Sequence, residues 1–110
     1  MDTSQLTQEV TQLHADICSA LADPTRILLL YALSERPHTV NELSALLTLS
    51  QPATSRHLKV LRERGLVSAT RHAQNIEYAL NDRRIIDALD TLRAVLRDSL
   101  AHRAQLVSEQ

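Results

Sequence analysis

A seven-residue apolar run, Ile27 to Leu33 (ILLLYAL), sets the plan of this chain. It lies between Asp23-Pro24 and Pro37. Asp is a good helix N-cap and Pro suits the first helical position, so the sequence predicts a helix over about 24–35. Pro37 ends it. The helix is apolar nearly all round, which marks it as the central, most buried one. It is far short of the ~20 residues that a membrane span requires. The rest of a 110-residue chain must cover it. That length suits one domain, taken as residues 1–110, with a modest core that buries about 60–70% of the unfolded surface.

The flanking segments supply the cover. Leu6, Val10, Leu13, Ile17 and Leu21 form one apolar stripe on a first helix over about 4–21. Thr39 and Glu42 have capping-box spacing and open a short helix over about 40–47, with Leu43, Leu46 and Leu47 as its inner face. Thr48-Leu49 make a tight connection to Ser50, the N-cap of a fourth helix over about 51–64. Thr54, Leu58 and Leu61 face inward on that helix, and Gly65 stands where a helix end favours a left-handed residue. The period then changes. Leu66–Thr70 and Ile76–Leu80 read as two strands joined by a tip at His72-Ala73-Gln74-Asn75. Asn81 or Asp82 caps a last helix over about 83–105, striped by Ile85, Leu89, Leu92, Leu96 and Leu100. Two helices joined by a short turn form a helix-turn-helix, over about 39–64, and a following hairpin, over about 66–80, is its wing. The fold class is mainly α with a small β-hairpin, a winged helix-turn-helix in the order α-α-α-α-β-β-α.

Composition narrows the function. One glycine cannot build a phosphate-cradling loop, and two aromatic residues cannot build a base-stacking platform. The single cysteine, Cys18, forms no internal disulfide and points to a reducing, cytoplasmic setting. The first ten residues carry acids and no base, unlike a signal or transit peptide. The net charge of −1 conceals a local block. Residues 50–75 hold Arg56, Lys59, Arg62, Arg64 and Arg71 against Glu63 alone, a balance of +4. Residues 1–49 stand at −4 and residues 76–110 at −1. Attraction to phosphate is screened beyond ~8–10 Å, so the local block matters more than the total.

The segments LADPTR, NELSALLTLSQPATSRHLKVLRERGLV and IEYAL carry a resemblance over about residues 14–82. They resemble the arsenic-repressor (ArsR/SmtB) family of bacterial transcriptional regulators. The resemblance implies a homodimer, joined through the first and last helices, that represses by binding a palindromic operator in promoter DNA and leaves it when an inducer binds. The apolar stripes of those two helices independently call for a partner.

The fourth helix carries the chemistry of a major-groove reader. Gln51, in its first turn, can pair bidentately with adenine. Thr54 and Ser55 can bond base edges or phosphates, and Arg56 a guanine edge or a phosphate. Ser50 and nearby backbone N–H groups can hold a phosphate. His57 falls in a Ser-Arg-His-Leu run that resembles the family signature. It either contacts or positions DNA, or it packs as a hydrogen-bonded histidine against the short helix. Lys59 and Arg62 read as phosphate contacts or as a solvated face. At the wing tip Arg71 and Asn75, with His72 and Gln74, would meet backbone or minor groove. The tip reads HAQN, where the family usually has Gly and extra Arg.

The family's sensor sites are absent in their usual form. Its cysteine pair falls on Thr39 and Asn41, and the Asp-x-His pattern of the last helix is broken at Leu89 and Leu92. One other constellation exists: His14 and Cys18 are four apart on the first helix, and Asp98 and His102 four apart on the last. If these helices meet across a dimer, the four would form a mixed N/S/O site for zinc, nickel or cobalt. A thiol switch at Cys18 and a metal-independent regulator are the other readings. An enzyme is disfavoured, since no triad, paired buried carboxylates or glycine loop occurs. A winged-helix protein–protein module is the alternative class, against which the basic block argues.

Overall fold

The computed structural model describes residues 2–109. It contains helices α1 (Thr3–Leu13), α2 (Pro24–Glu35), α3 (Val40–Leu47), α4 (Gln51–Glu63) and α5 (Arg84–Ser108). Strands β1 (His38–Thr39), β2 (Val67–His72) and β3 (Asn75–Leu80) form one antiparallel sheet in the order β1-β3-β2. This is the winged helix-turn-helix that the sequence predicts, with two additions. A π-helical turn, His14–Cys18, continues α1, its end marked by the Ser19 N–H donating to the His14 carbonyl five residues back. β1 is a third strand, His38 opposite Tyr78 and Thr39 opposite Glu77.

Local chemistry places the boundaries. The Asp23 carboxylate accepts from the Thr25 N–H (2.8 Å) ahead of Pro24, starting α2. Burial acts to raise the Asp23 carboxyl, but the Thr25 N–H, His57 and Arg26 outweigh it and hold it below its ordinary value. Thr39 and Glu42 close a reciprocal capping box at α3. The Thr39 backbone N–H, and then the Arg36 guanidinium, pull the Glu42 carboxyl down to about 2. At the start of α5 the N-cap position is Arg83, without a side-chain cap bond, and the Asp82 carboxylate just before it accepts from the Arg84 N–H (2.9 Å). The Arg84 side chain and that N–H hold its carboxyl at about 2. Asn81 instead donates to the Gly65 carbonyl (2.8 Å) and latches the wing's far end to the end of α4.

The core comprises Leu29, Leu30 and Leu33 of α2, Leu43 of α3, Leu58 and Leu61 of α4, and Ile86 and Leu89 of α5, joined by Leu66 and Val67 below the wing. α2 is central, though not covered all round: Leu28 is 53% exposed. Leu46, expected on the inner face of α3, is 57% exposed. On an eight-residue helix the stripe through Leu43 and Leu47 already meets α2 and α4, and Leu46 falls outside it. Two helices end on a left-handed residue spanned by a bond to the carbonyl five residues back. After α4 the Gly65 N–H donates to the Arg62 carbonyl (3.0 Å) and the Leu66 N–H to the Leu61 carbonyl (2.9 Å), with Gly65 at φ 77°. After α3 the Thr48 and Leu49 N–H groups both donate to the Ser44 carbonyl, with Thr48 at φ 55°. A left-handed threonine is costly, and here it sets the tight turn between α3 and α4.

Candidate nucleic-acid interface

α4 presents its inner stripe to the core and its polar stripe outward. Thr54, Leu58 and Leu61 are fully buried. Gln51, Ser55, Lys59 and Arg62 run up the exposed face with Arg56 beside them. Arg56, Arg62 and Arg71 enter none of the ion pairs among the described residues. Lys59 reaches Glu63 at 4.0 Å, a loose contact between exposed groups. The basic block therefore stands outward and largely unpaired, the electrostatic footprint that a phosphate backbone requires.

Three sequence expectations for this surface change. Thr54 cannot contact DNA: it is 0% exposed, and its hydroxyl donates to the Ser50 carbonyl (2.9 Å) and is bonded to Ser44 Oγ (3.0 Å). It joins the two helices of the unit. The N-terminus of α4 offers less to a phosphate than its sequence implies. Pro52 has no N–H, the Ala53 N–H goes to Ser50 Oγ (3.2 Å), and the Thr54 N–H goes to the Ser50 carbonyl (3.0 Å). The Gln51 N–H is the donor left over in that turn. His57 is half-buried, and its hydrogen-bond partner among the described residues is on α2: its Nδ1 lies 3.4 Å from Arg26 Nη1. A guanidinium has only donors, so a hydrogen bond between these two nitrogens requires the ring to carry its proton on Nε2.

Arg26 also donates to the carbonyls of Ser19 (3.1 Å) and Ala20 (2.7 Å), just beyond the π turn. A second tie runs from Arg64, at the end of α4, to Asp16 (3.3 Å) inside that turn. The reading helix is thus fastened twice to the segment that follows α1.

The wing closes on a two-residue turn, Ala73-Gln74, with Ala73 at φ 55° and His72 opposite Asn75 as the last pair of the ladder. Arg71, Gln74 and Asn75 are exposed. The sequence gives no signal for one further contact. Gln51 Nε2 donates to Oδ1 of Asn41 on α3, ten residues away.

The four candidate metal ligands do not meet within one chain. His14 and Cys18 are exposed at the two ends of the π turn, and Asp98 and His102 are exposed on the outer half of α5. Among the described residues no group of three or more His, Cys, Asp or Glu is placed to hold a metal.

A helix-turn-helix with an outward basic reading face and a wing defines a DNA-binding transcriptional regulator. Residues 23–69 match the family of bacterial regulatory proteins described as arsR. The chain is 34% identical over 85 residues to a transcriptional repressor SmtB homolog of Synechocystis sp., spanning 77% of this chain and 64% of that relative. It is 36% identical over 90 residues to nodulation protein NolR of Rhizobium meliloti, covering 82% of this chain and 74% of the relative. Its fold matches a homodimeric winged helix-turn-helix DNA-binding domain from Mycobacterium bovis with a TM-score of 0.77 at 21% identity, over 92% of this chain and 93% of that one. The chain belongs to the ArsR/SmtB family of transcriptional regulators. Among its described residues no helix is long and apolar enough to cross a membrane.

Proposed function

We propose that this chain acts as a homodimeric repressor that reads a palindromic operator in double-stranded promoter DNA, working in the bacterial cytoplasm without catalytic chemistry. One observation carries the reading: the second helix of a tight helix-turn-helix faces outward with Gln51, Ser55, Arg56 and unpaired cations on one surface. In a major groove Gln51 supplies a bidentate pair for adenine, and Arg56 a guanine or phosphate contact. Ser55 bonds a base edge or phosphate, Lys59 neutralises phosphate, and Ser50 shapes the helix start. His57 offers Nε2–H as a positioned donor, and Arg71 and Asn75 reach backbone or minor groove from the wing. The dimer forms through α1 and α5, where Leu6, Val10, Leu92, Leu96 and Leu100 stand exposed.

The test is a gel shift on the chain's own promoter across a salt series. Palindrome-specific binding that weakens steeply with salt is expected. Equal affinity for operator and scrambled DNA would sink the proposal. In the same assay Gln51→Ala is expected to cost ~1–3 kcal/mol on the operator and little on random DNA.

For release from DNA we propose the surface between α1 and α5. Zn(II), Ni(II), Co(II) and a thiol oxidant are the ligands to assay there. A response that His14→Ala, Cys18→Ser and His102→Ala all leave unchanged removes both the metal site and the Cys18 thiol switch.

A further inference from the structure

We infer that Asn41, on the first helix of the helix-turn-helix, is a positioning residue that fixes which base Gln51 reads. The inference rests on the reading of α4 as the DNA-reading helix. Gln51 is the first residue of α4 and is exposed, so nothing in the helix itself orients its side chain. Among the described residues the one side chain that bonds it is Asn41, whose Oδ1 accepts from Gln51 Nε2.

A carboxamide carries two N–H donors and one carbonyl acceptor. With one N–H engaged by Asn41, Gln51 has one N–H and its carbonyl oxygen left to turn outward. That pair complements the N7 acceptor and N6 donor of adenine. A free glutamine would have to be ordered on binding and can settle against neighbouring bases or present its amide either way round. The anchor removes most of that freedom before DNA arrives, which concentrates discrimination on one base.

The backbone of Asn41 is set by the first turn of α3. It sits one residue inside the Thr39–Glu42 capping box, and the left-handed Thr48 turn brings the start of α4 back against it. It also lines an open cleft of about 230 Å³ whose far wall is Gln74, Asn75 and Ile76 of the wing. Asn41 thus stands between the two surfaces assigned to DNA, at the base of the one side chain best suited to read a base.

The experiment is selection from operator sequences randomised at every position. The full-length protein is compared with Gln51→Ala, Asn41→Ala, Asn41→Asp and the Asn41→Ala/Gln51→Ala pair, each checked for an unchanged melting temperature. Gln51→Ala is expected to flatten preference at one symmetry-related pair of positions. Asn41→Ala is expected to flatten the same pair by about tenfold, leaving other positions and random-DNA affinity as they were. The double variant should be no worse than Gln51→Ala alone, because the two act as one unit. Asn41→Asp keeps an acceptor for Gln51 Nε2, so base preference should survive while its added charge lowers affinity for all sequences alike. The inference fails if Asn41→Ala keeps the wild-type preference where Gln51→Ala loses it. It also fails if Asn41→Ala weakens all positions equally, the mark of a purely structural contact. Loss of preference in Asn41→Asp would overturn it too. If Gln51→Ala itself leaves preference unchanged, the assignment of Gln51 as a base reader is what falls, and the role of Asn41 with it.

Discussion

The segment from Asp23 to Leu80 and the two terminal helices solve the burial problem in opposite ways. The central segment builds most of one core: α2, α3 and α4 supply its buried leucines, Ala20, Ile86 and Leu89 complete it from outside the segment, and capping groups start its helices. α1 buries no residue at all, and α5 buries only Ile86 and Leu89 near its start. Beyond that point Leu92, Val95, Leu96, Leu100 and Val107 all stand exposed, Val107 at 73%. A DNA-reading unit can be completed by one chain, whereas the terminal helices carry apolar surface that one chain leaves in water. The centre holds most of the buried core, and the ends hold the exposed apolar surface on which the proposed dimer would form.

Four measurements bear on that division, beginning with the largest effect. Leu96→Asp with Leu100→Asp should yield a monomer by sedimentation with native helicity, and operator affinity should fall by ~10²–10⁴-fold as two-site avidity is lost. A dimer surviving at micromolar concentration would place assembly elsewhere. Leu58→Ala, inside the centre, should cost ~2–5 kcal/mol in chemical unfolding. A smaller cost than Thr39→Ala would show that this core is not closed. Thr39→Ala removes the cap of α3 and should cost ~1 kcal/mol. Thr48→Gly relieves a left-handed threonine and should raise stability by up to ~1 kcal/mol, read as a higher melting temperature.

Acid offers a finer probe of the hydrogen bonds at two helix starts, one inside the centre and one just beyond it. The folded-state carboxyls of Glu42 and Asp82 lie at about 2, below their ordinary values of 4.5 and 3.8. Their contribution is therefore complete above those ordinary values and is lost as pH falls toward 2. Glu42→Gln should flatten the decline of stability between about pH 4.5 and 2. An unchanged acid limb would mean that the capping box does not hold the ionised carboxylate.

Much of the centre is legible in the sequence because its signals are local. Asp23-Pro24, Thr39 with Glu42, and Gly65 each act within a few residues of where they stand, and each marks its boundary in the structure. What the sequence hides depends on distant partners. β1 is two residues long and exists as a strand only through its ladder to β3. The π turn has no residue signature. Thr54 differs: its inward stripe with Leu58 and Leu61 is legible in the sequence and decides its burial over its chemistry as a DNA contact, while its bond to Ser44 of α3 is not. Asn41 is invisible for the same kind of reason: ten residues from Gln51, it becomes its neighbour only once the turn at Thr48 is formed.

The two arginine ties on α4 bear on how interchangeable such modules are. Engineers often treat a reading helix as a cassette, to be swapped for another with a different base preference. In this chain α4 ends on Arg64, which holds Asp16, and carries at mid-length the imidazole that receives Arg26. A transplanted helix that matched every outward residue but lacked an acceptor at position 57 and a cation at position 64 would leave Arg26 and Asp16 without their α4 partners. Retargeting this protein to a new sequence therefore means rewriting the outward face of the helix while conserving the two positions that meet Arg26 of α2 and Asp16 of the π turn.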